Sequence, residues 1–192
     1  RIQVEHPVTE FITGVDLVRE QFRVAEGGTL TLAQKEVTLR GHAIELRVQA
    51  EDVWNDFLPS LGTISYVRHP GGASVRNDSA MFEGLEVSGH YDSLLSKLIV
   101  WDNDRKGAME RMMRALDEMR VVGVSTTIPF GRFVLANERF AKGELSTAFV
   151  EEEFTAEARA RELAMATARV EGAFVGVRRE LDREKALRQF VG

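Results

Sequence analysis

The sequence contains no cysteine, and histidine and proline are scarce, with four residues of each. Without cysteine, neither a disulfide framework nor a thiolate metal site can form, and this absence fits a reducing compartment. The histidines are scattered and form no metal-ligand pattern. The sequence also shows no signal peptide and no apolar run long enough to span a membrane.

Acidic residues outnumber basic residues by 30 to 25, which gives a formal net charge of -5. This balance argues against general attraction to nucleic acid or to an anionic membrane surface, so any basic site must be local. A chain of 192 residues with 44% apolar content can bury a substantial core. Its length is compatible with one domain plus an extension.

The chain opens with the charged segment RIQVEHPV. If this segment is an extended strand, Arg1, Gln3 and Glu5 share one face, while Ile2 and Val4 point to the other. One face then offers a cation, an amide and a carboxylate within a short reach. The alternative is an edge strand whose polar side is simply solvated.

Further elements follow from apolar spacing. Thr13 is expected to cap a packing helix that ends at the Gly27-Gly28 pair. Its apolar positions have helical spacing: Val15, Val18, Phe22 and Ala25. Residues 42–50 alternate apolar and polar side chains, which predicts a half-buried strand with Glu45 and Arg47 facing solvent or a cleft.

The middle of the chain is expected to be rich in β-structure. Residues 63–67 and 73–76 are predicted to form antiparallel strands joined at Pro70-Gly71-Gly72. A helix is predicted to begin at Asp104 and to end before Gly123. Its methionines have the spacing of core residues: Met109, Met112, Met113 and Met119.

Two helical regions are predicted towards the end of the chain. One covers 129–137, with Phe130, Phe133 and Val134 directed inward. The other covers 155–190, where alanine, glutamate and arginine predominate and one or two amphipathic helices are expected. This last region is a candidate docking or linking element.

Five motifs occur in an order that resembles the biotin carboxylase family of ATP-grasp ligases: RIQVEHPVTE, GHAIELRVQAED, FLPSLGTI, PGGASVRNDS and YDSLLSKLIVW. The resemblance spans 1–149 and implies an α+β fold. It further implies the end of an ATP-grasp domain at 1–35, a biotin carboxylase C-terminal domain at 36–149, and a helical extension or linker at 150–192.

The resemblance also implies roles for individual residues. Glu5 matches the base that deprotonates bicarbonate, and Arg1 matches the arginine that binds it, with Gln3 and the Val4 backbone completing the pocket. Arg76 is expected to bind the ureido oxygen of biotin and to stabilise the enolate, a task that needs a permanent cation.

Other parts of the motifs are interpreted as structural. Tyr91-Asp92-Ser93 and Lys97 match a family signature, but such residues commonly satisfy backbone groups or form ion pairs. His6 is also expected to be structural. Gly27-Gly28 and Gly71-Gly72 fit a helix end and a turn better than a phosphate-binding loop.

In the resembled mechanism, ATP phosphorylates bicarbonate, the carboxyphosphate breaks down to carbon dioxide and phosphate, and biotin is carboxylated on its ring nitrogen. The implied cofactors are biotin, ATP and Mg²⁺. The implied partners are a biotin carboxyl carrier protein or domain, a carboxyltransferase subunit or domain, and a second copy in a homodimer. The expected location is the cytoplasm, or the mitochondrial matrix in a eukaryote.

The family's magnesium ligands, a glutamate and an asparagine, precede the position of Arg1 and do not occur in this sequence. We therefore expect ATP and metal to be bound by a preceding segment, and the chain alone to be inactive in ATP turnover. Two alternatives stay open. One is a non-catalytic dimerisation or assembly module, and the other is a different bicarbonate-activating ATP-grasp ligase, such as a carbamoyl phosphate synthase.

Overall fold

The computed structural model describes residues 1–167 and divides the chain into two units, Arg1–Glu144 and Leu145–Gly192. Helices and antiparallel strands alternate irregularly along the first unit, which confirms the expected α+β class. None of the helices within the described residues is long and apolar enough to cross a membrane.

The first unit contains five of the helices and all of the strands assigned in the described residues. The helices are α1 (His6–Thr13), α2 (Leu17–Ala25), α3 (Arg105–Glu118), α4 (Ile128–Ala136) and α5 (Glu138–Lys142), with a 3-10 turn at Gln34–Glu36. The strands are β1 (His42–Gln49), β2 (Glu51–Asp52), β3 (Leu58–Pro59), β4 (Gly62–Thr63), β5 (Tyr66–Arg68), β6 (Val75–Ser79), β7 (Glu86–Val87), β8 (Leu94–Asp102) and β9 (Arg120–Val122).

The main sheet is antiparallel, with the strand order β1-β8-β6. Strand alternation sends one set of its side chains towards α3 and α4, where they form the core. This set includes Val48, Leu98 and Val100, all fully buried, and they pack with Met112 and Leu116 of α3. The remaining strands pair outside this sheet as β2-β3, β4-β7 and β5-β9.

The opposite face of the main sheet is polar and lies against α1. Antiparallel register places Arg47 of β1 opposite Lys97 of β8, which in turn is opposite Asp78 of β6. Two positions further along the same face, Glu45, Ile99 and Arg76 form the next row. The candidate site is built on this face.

The helix predicted from Asp104 is confirmed. The Asp104 carboxylate accepts a hydrogen bond from the Gly107 amide at 2.8 Å and caps α3. The methionine stripe packs as expected, since Met112 and Met119 are buried and Met109 and Met113 pack against the core. The helix predicted at 129–137 corresponds to α4, where Phe133 is buried and Phe130 and Val134 are partly buried.

The expected opening strand is wrong. Residues 1–3 have no regular structure, Val4 and Glu5 form a turn, and α1 begins at His6. Pro7 explains the difference, because its fixed φ and missing N–H suit the first turn of a helix.

The single helix predicted from Thr13 is also wrong, because the segment contains two helices. Gly14, with φ +73°, ends α1, and Asp16 caps α2 by accepting the Arg19 amide at 2.9 Å. Three apolar side chains of α2 are exposed in this structure, Val18 at 38%, Phe22 at 67% and Val24 at 51%. The Gly27-Gly28 pair does follow the end of α2 as expected.

The predicted hairpin around Pro70-Gly71-Gly72 does not form. Instead β5 pairs with β9 and β6 pairs with β8, so the turn connects two separate sheets. Both partners lie further along the chain, where the local turn signal carries no information about them. Positive φ angles at Gly72 and Ser74 redirect the chain between the two sheets.

The second unit is helical where it is described. It contains α6 (Phe149–Glu153) and a further helix over 156–167, in which Arg159 donates its amide to the Thr155 carbonyl at 2.8 Å. These residues agree with the predicted helical character of the tail. The part of that prediction beyond residue 167 lies outside the described residues, and the domain boundaries at 35 and 149 stay predictions.

Candidate functional site

Glu5 and Arg47 form an ion pair at the start of α1. Arg47 Nη2 donates to Glu5 Oε2 at 3.0 Å. The side chains are 57% and 46% exposed respectively, so the pair is open to solvent and to small solutes. A carboxylate and a guanidinium are therefore available together at this edge of the polar sheet face, which is the chemistry needed to hold and deprotonate a small oxyanion.

The backbone of Arg47 is held from the other side of β1 by Thr127. The buried Thr127 hydroxyl donates to the Arg47 carbonyl at 2.9 Å and accepts the Gln49 amide at 3.0 Å. These bonds satisfy the free edge of β1 next to the ion pair. The position of Arg47 is thus set by the core side of the structure as well as by Glu5.

Arg1 and Gln3 lie together in the segment just before this pair. Arg1 Nη1 donates to Gln3 Oε1 at 3.3 Å and to the Ile2 carbonyl at 3.2 Å. The His6 amide donates to the Gln3 carbonyl at 3.2 Å, which closes a turn around Val4 and Glu5. The structure therefore brings Arg1 to Gln3 just before the turn, and Arg47 of β1 to Glu5 within it.

The His6 ring makes a contact of the kind that the structural interpretation expects. Its Nδ1 lies 2.7 Å from the Gln3 carbonyl oxygen. This contact helps to fix the turn that precedes α1. Asp92 and Ser93 similarly make internal bonds, with Asp92 accepting the Leu94 amide at 2.9 Å and Ser93 donating to Glu51 at 2.7 Å.

Arg76 has a different environment from Arg47. Its Nε and Nη2 both donate to the Asp78 carboxylate at 2.8 Å, and its Nη1 donates to Glu10 of α1 at 2.6 Å. Hydrogen bonding to Asp78 raises the pKa of Arg76, and hydrogen bonding from Arg76 lowers the pKa of Asp78. Two carboxylates already neutralise this guanidinium.

Lys97 lies on the strand between the one that carries Arg76 and the one that carries Arg47. Its Nζ lies 3.3 Å from Asp78 Oδ2, and on β8 it is directly opposite Arg47. Because Arg47 and Arg76 stand on strands that are two apart, about 10 Å of sheet separates their backbones. Glu5 and Arg76 thus lie over the same sheet face, but Arg47 is the cation that contacts Glu5.

Glu45 lies beneath the exposed pair. Its side chain is 6% exposed, and its Oε1 is 3.9 Å from Arg47 Nε. Burial raises the pKa of the Glu45 carboxyl, and the nearby Lys97 and Arg47 partly offset that rise. Burial of a carboxylate disfavours its charged form, whereas a nearby guanidinium favours it, so the two effects oppose each other at Glu45.

Four residues of this cluster have no role assigned from the sequence: Glu10, Glu45, Arg47 and Asp78. The alternation in β1 does place Glu45 and Arg47 on one face, and that signal could have drawn attention to Arg47. Glu10 gives no comparable signal, because it lies between the predicted strand and the predicted helix. Its carboxylate bridges Arg76 and the Leu17 amide at the start of α2.

The glycine pairs and the acidic side chains of the described residues have structural surroundings. No group of three or more histidine, aspartate and glutamate side chains in 1–167 is arranged to hold a metal ion. The Gly27 and Gly28 amides donate to the backbone carbonyls of Val24 and Arg23 at 3.0 and 2.9 Å, as in a helix end. Gly71 instead lies in a turn beside Arg114 and Glu118.

Two protein-family models match this chain, in adjacent parts of its sequence. The model of the biotin carboxylase C-terminal domain matches residues 45–152, and the ATP-binding domain of the carbamoyl-phosphate synthase L chain matches residues 1–33. The chain belongs to the biotin carboxylase C-terminal domain family. The resemblance drawn from the motifs is thereby confirmed.

Biotin carboxylases and the corresponding parts of related carboxylases are similar to this chain over most of its length. The pyruvate carboxylase subunit of Methanothermobacter thermautotrophicus is 55% identical over 152 residues, which is 79% of this chain and 31% of that protein. Biotin carboxylase of Nostoc sp. is 52% identical over 152 residues, covering 79% of this chain and 34% of the relative.

A solved structure shows the same architecture. The biotin carboxylase domain dimer of Hydrogenobacter thermophilus 2-oxoglutarate carboxylase, in complex with MgADP, ADP and bicarbonate, aligns with a TM-score of 0.78 and 44% identity. The match covers 79% of this chain and 34% of that one. This biotin carboxylase C-terminal domain chain therefore spans about a third of the length of the relatives it matches.

Proposed function

We propose that this chain supplies the bicarbonate side of a biotin carboxylase site, with Glu5 as the base. The observation that carries the proposal is the Glu5–Arg47 pair, a half-exposed carboxylate with a guanidinium at 3.0 Å. A base must reach its proton within hydrogen-bond distance, and a neighbouring cation holds an anionic substrate there. Membership of the biotin carboxylase family supports the choice of bicarbonate as that substrate.

Arg1 and Gln3 are proposed to bind the bicarbonate oxygens. Their side chains already contact each other, and both are exposed at the turn that carries Glu5. A guanidinium can donate to two oxygens of one planar anion, while the Gln3 amide and the Val4 backbone would contribute further polar groups. Fixing the anion beside Glu5 lowers the entropic part of the barrier to its reaction.

The cation for the biotin side has two candidates. Arg76 is predicted from its motif, and that role remains a proposal. The geometry favours Arg47, because Arg76 already donates to two carboxylates, whereas Arg47 is half exposed and stands beside the proposed base. A permanent cation at Arg47 would stabilise negative charge that develops on a substrate held next to Glu5.

Biotin supplies the ring nitrogen that accepts the carboxyl group, and it is expected to arrive on a carrier protein or domain. ATP and Mg²⁺ are proposed to bind outside the described residues. The proposal therefore assigns complete turnover to a polypeptide that also contains an ATP-binding domain. The expected location in the cytoplasm or the mitochondrial matrix is part of this proposal.

The final acceptor is proposed to be chosen by a separate carboxyltransferase. One relative is named for pyruvate carboxylase, and a structural neighbour is named as a 2-oxoglutarate carboxylase domain. Proteins named for different acceptors thus share this region. We assign no acceptor to the present chain.

The function is tested by Glu5→Gln in a polypeptide that joins this chain to an ATP-binding domain. Biotin-dependent and bicarbonate-dependent ATP hydrolysis should fall by about 100-fold or more, since glutamine has the shape of glutamate but cannot take a proton. Glu83→Gln, at an exposed turn position, is the matched control and should retain activity. Equal activity of both variants would contradict the assignment of Glu5 as the base.

A role in assembly is a second proposal, because α2 leaves apolar side chains exposed, including Phe22 at 67% and Val24 at 51%. A homodimer would also agree with the dimeric structure of the 2-oxoglutarate carboxylase domain. Light scattering on the chain, with and without 155–192, measures the mass of each form. A monomer in both cases would exclude this chain as an independent dimerisation module.

A further inference from the structure

Glu45 is a buried acid that the proposed reaction does not use. It lies on β1 two positions before Arg47, and strand alternation therefore places both side chains on the face covered by α1. The Glu45 side chain is 6% exposed, and no hydrogen-bond donor among residues 1–167 reaches its Oε2. An unpartnered carboxylate oxygen at this depth is uncommon, because leaving it unmatched costs free energy.

The surroundings of Glu45 explain how a charge can be kept there. Arg47 lies on its own strand at 3.9 Å, and Lys97 lies diagonally opposite on β8. Glu5 acts on it from the turn before α1, and His6 from the first position of α1. Strand β6, on the far side of β8, contributes Arg76 to the same row, but that guanidinium is committed to Asp78 and Glu10. Arg47 and Lys97 are thus the cations that face the buried carboxylate.

Arg47 stands between two acids that differ in exposure. Its Nη2 donates to the exposed Glu5, while its Nε points towards the buried Glu45. If Glu5 takes a proton from bicarbonate, its negative charge is lost and its attraction for Arg47 falls. The guanidinium would then be free to turn away from the reacting groups unless another anion held it.

We propose that Glu45 is a positioning residue that holds the Arg47 guanidinium in place while Glu5 changes its charge. The inference rests on the proposed function of the Glu5–Arg47 pair. The two acids can have different roles because they differ in exposure: Glu5 is open to solvent and substrate and can exchange a proton, whereas Glu45 is buried and can hold Arg47. The Glu45 carboxylate, whose Oε1 lies 3.9 Å from Arg47 Nε, gives Arg47 a second anion when Glu5 loses its charge.

The test measures rotation of the Arg47 guanidinium by nuclear magnetic resonance in the 192-residue chain. Glu45→Gln should accelerate this rotation by about tenfold or more, because a neutral amide holds a guanidinium less strongly than a carboxylate. Glu5→Gln alone should leave rotation slow, since Glu45 remains. Fast rotation in Glu5→Gln, or unchanged rotation in Glu45→Gln, would overturn the proposal.

Glu20→Gln is the matched control. Glu20 is also buried, at 8% exposed, but its carboxylate accepts from Thr31 and lies on α2. This variant should leave Arg47 rotation unchanged. An equal effect of Glu20→Gln and Glu45→Gln would show that any lost buried acid loosens the domain, and the specific role would be refuted.

A measurement on the unsubstituted chain covers the case in which Glu45→Gln does not fold. Burial raises the pKa of Glu45, so its carboxyl should take up a proton above the ordinary range of glutamate as pH falls. The Arg47 Nε signal should shift with that same proton uptake. If the Arg47 Nε signal does not shift while Glu45 takes up its proton, the proposal is overturned.

Activity separates this inference from the function on which it rests. In the polypeptide with an ATP-binding domain, Glu45→Gln should lower kcat more than it raises KM for bicarbonate, because Arg1 and Gln3 remain. If Glu5→Gln is inactive while Glu45→Gln has normal kcat, the function stands and the positioning role fails. If Glu5→Gln is fully active, the proposed function itself fails.

Discussion

Glu10 on α1 accepts a 2.6 Å hydrogen bond from Arg76 on β6, across 66 positions of the sequence. The Glu10 side chain is 11% exposed and that of Arg76 is 35% exposed, so the pair is partly shielded from water. Glu10 also accepts the Leu17 amide at 2.9 Å. One carboxylate thus connects α1, the start of α2 and the far edge of the main sheet.

The Glu10–Arg76 pair should contribute measurably to stability. A double-mutant cycle with Glu10→Gln and Arg76→Met should give a coupling free energy of about 1–3 kcal/mol in urea unfolding of the chain, because the bond is charged on both sides and partly buried. The i,i+4 pair of Lys106 and Glu110, which is exposed on both sides, is the control and should show almost no coupling. Equal coupling in the two cycles would contradict a special role for Glu10.

Stability should also decrease in acid, partly because of Asp78. Hydrogen bonding from Arg76 lowers the pKa of Asp78 below its ordinary value of 3.8. A lowered pKa in the folded state means that the stabilisation is present above the ordinary value and is lost as pH falls through the lowered one. The free energy of unfolding should therefore fall as the pH drops through and below the ordinary value of 3.8.

Arg76→Met supplies the comparison for this pH dependence. Without the guanidinium, Asp78 loses the largest cause of its lowered pKa, so the decrease in stability with acid should be shallower. Urea unfolding midpoints of both proteins at several pH values measure the difference. Parallel curves would show that Asp78 is not the acid responsible.

The sequence predicted the fold class and the elements whose signals are local. The Asp104 cap, the methionine stripe of α3 and the alternation of β1 each depend on residues close together in the chain, and all are confirmed. The failures involve partners that are distant in sequence. The β5-β9 and β6-β8 pairings could not be read from the turn at Pro70, because the turn does not specify which later strand will pair.

In the candidate site too, the sequence indicated what depends on local signals and missed the partners that are distant in sequence. The motifs identified Arg1, Gln3 and Glu5 as candidates; in the structure Arg1 contacts Gln3, and Glu5 contacts Arg47. The cation that reaches Glu5 lies 42 positions away, and strand alternation alone could not show that α1 would cover that face. Whether a charged side chain is free or already paired is a tertiary property, which is why Arg76 and Arg47 could not be distinguished from the sequence.

Activity measurements on matched variants should distinguish these two arginines. In the polypeptide with an ATP-binding domain, Arg47→Gln should reduce biotin-dependent turnover by about 100-fold or more, because it removes a cation beside the proposed base. Arg76→Gln should mainly reduce stability, since Arg76 pairs with Glu10 and Asp78. Turnover is compared at a temperature where circular dichroism shows both variants folded. A larger loss of turnover in Arg76→Gln would instead support the role that the motif predicted for Arg76.

Gly123, which follows β9, should be intolerant of any side chain. Its φ is +112°, and a Cβ placed there would lie 2.0 Å from the Thr63 carbonyl oxygen, a backbone atom that cannot move without disturbing β4. Gly143 is the matched control, because its φ is also positive at +77° but a Cβ there meets nothing within 4 Å. Gly143→Ala should cost about 1–2 kcal/mol from backbone strain alone.

Gly123→Ala should cost at least about 3 kcal/mol in the same urea unfolding experiment, since strain and a backbone collision add. The difference between the two variants measures the collision together with the added strain of the larger φ at Gly123. Equal losses of stability would mean that the turn after β9 relaxes freely. The close approach of Gly123 to Thr63 would then not fix the end of β9 next to β4, contrary to what the structure indicates.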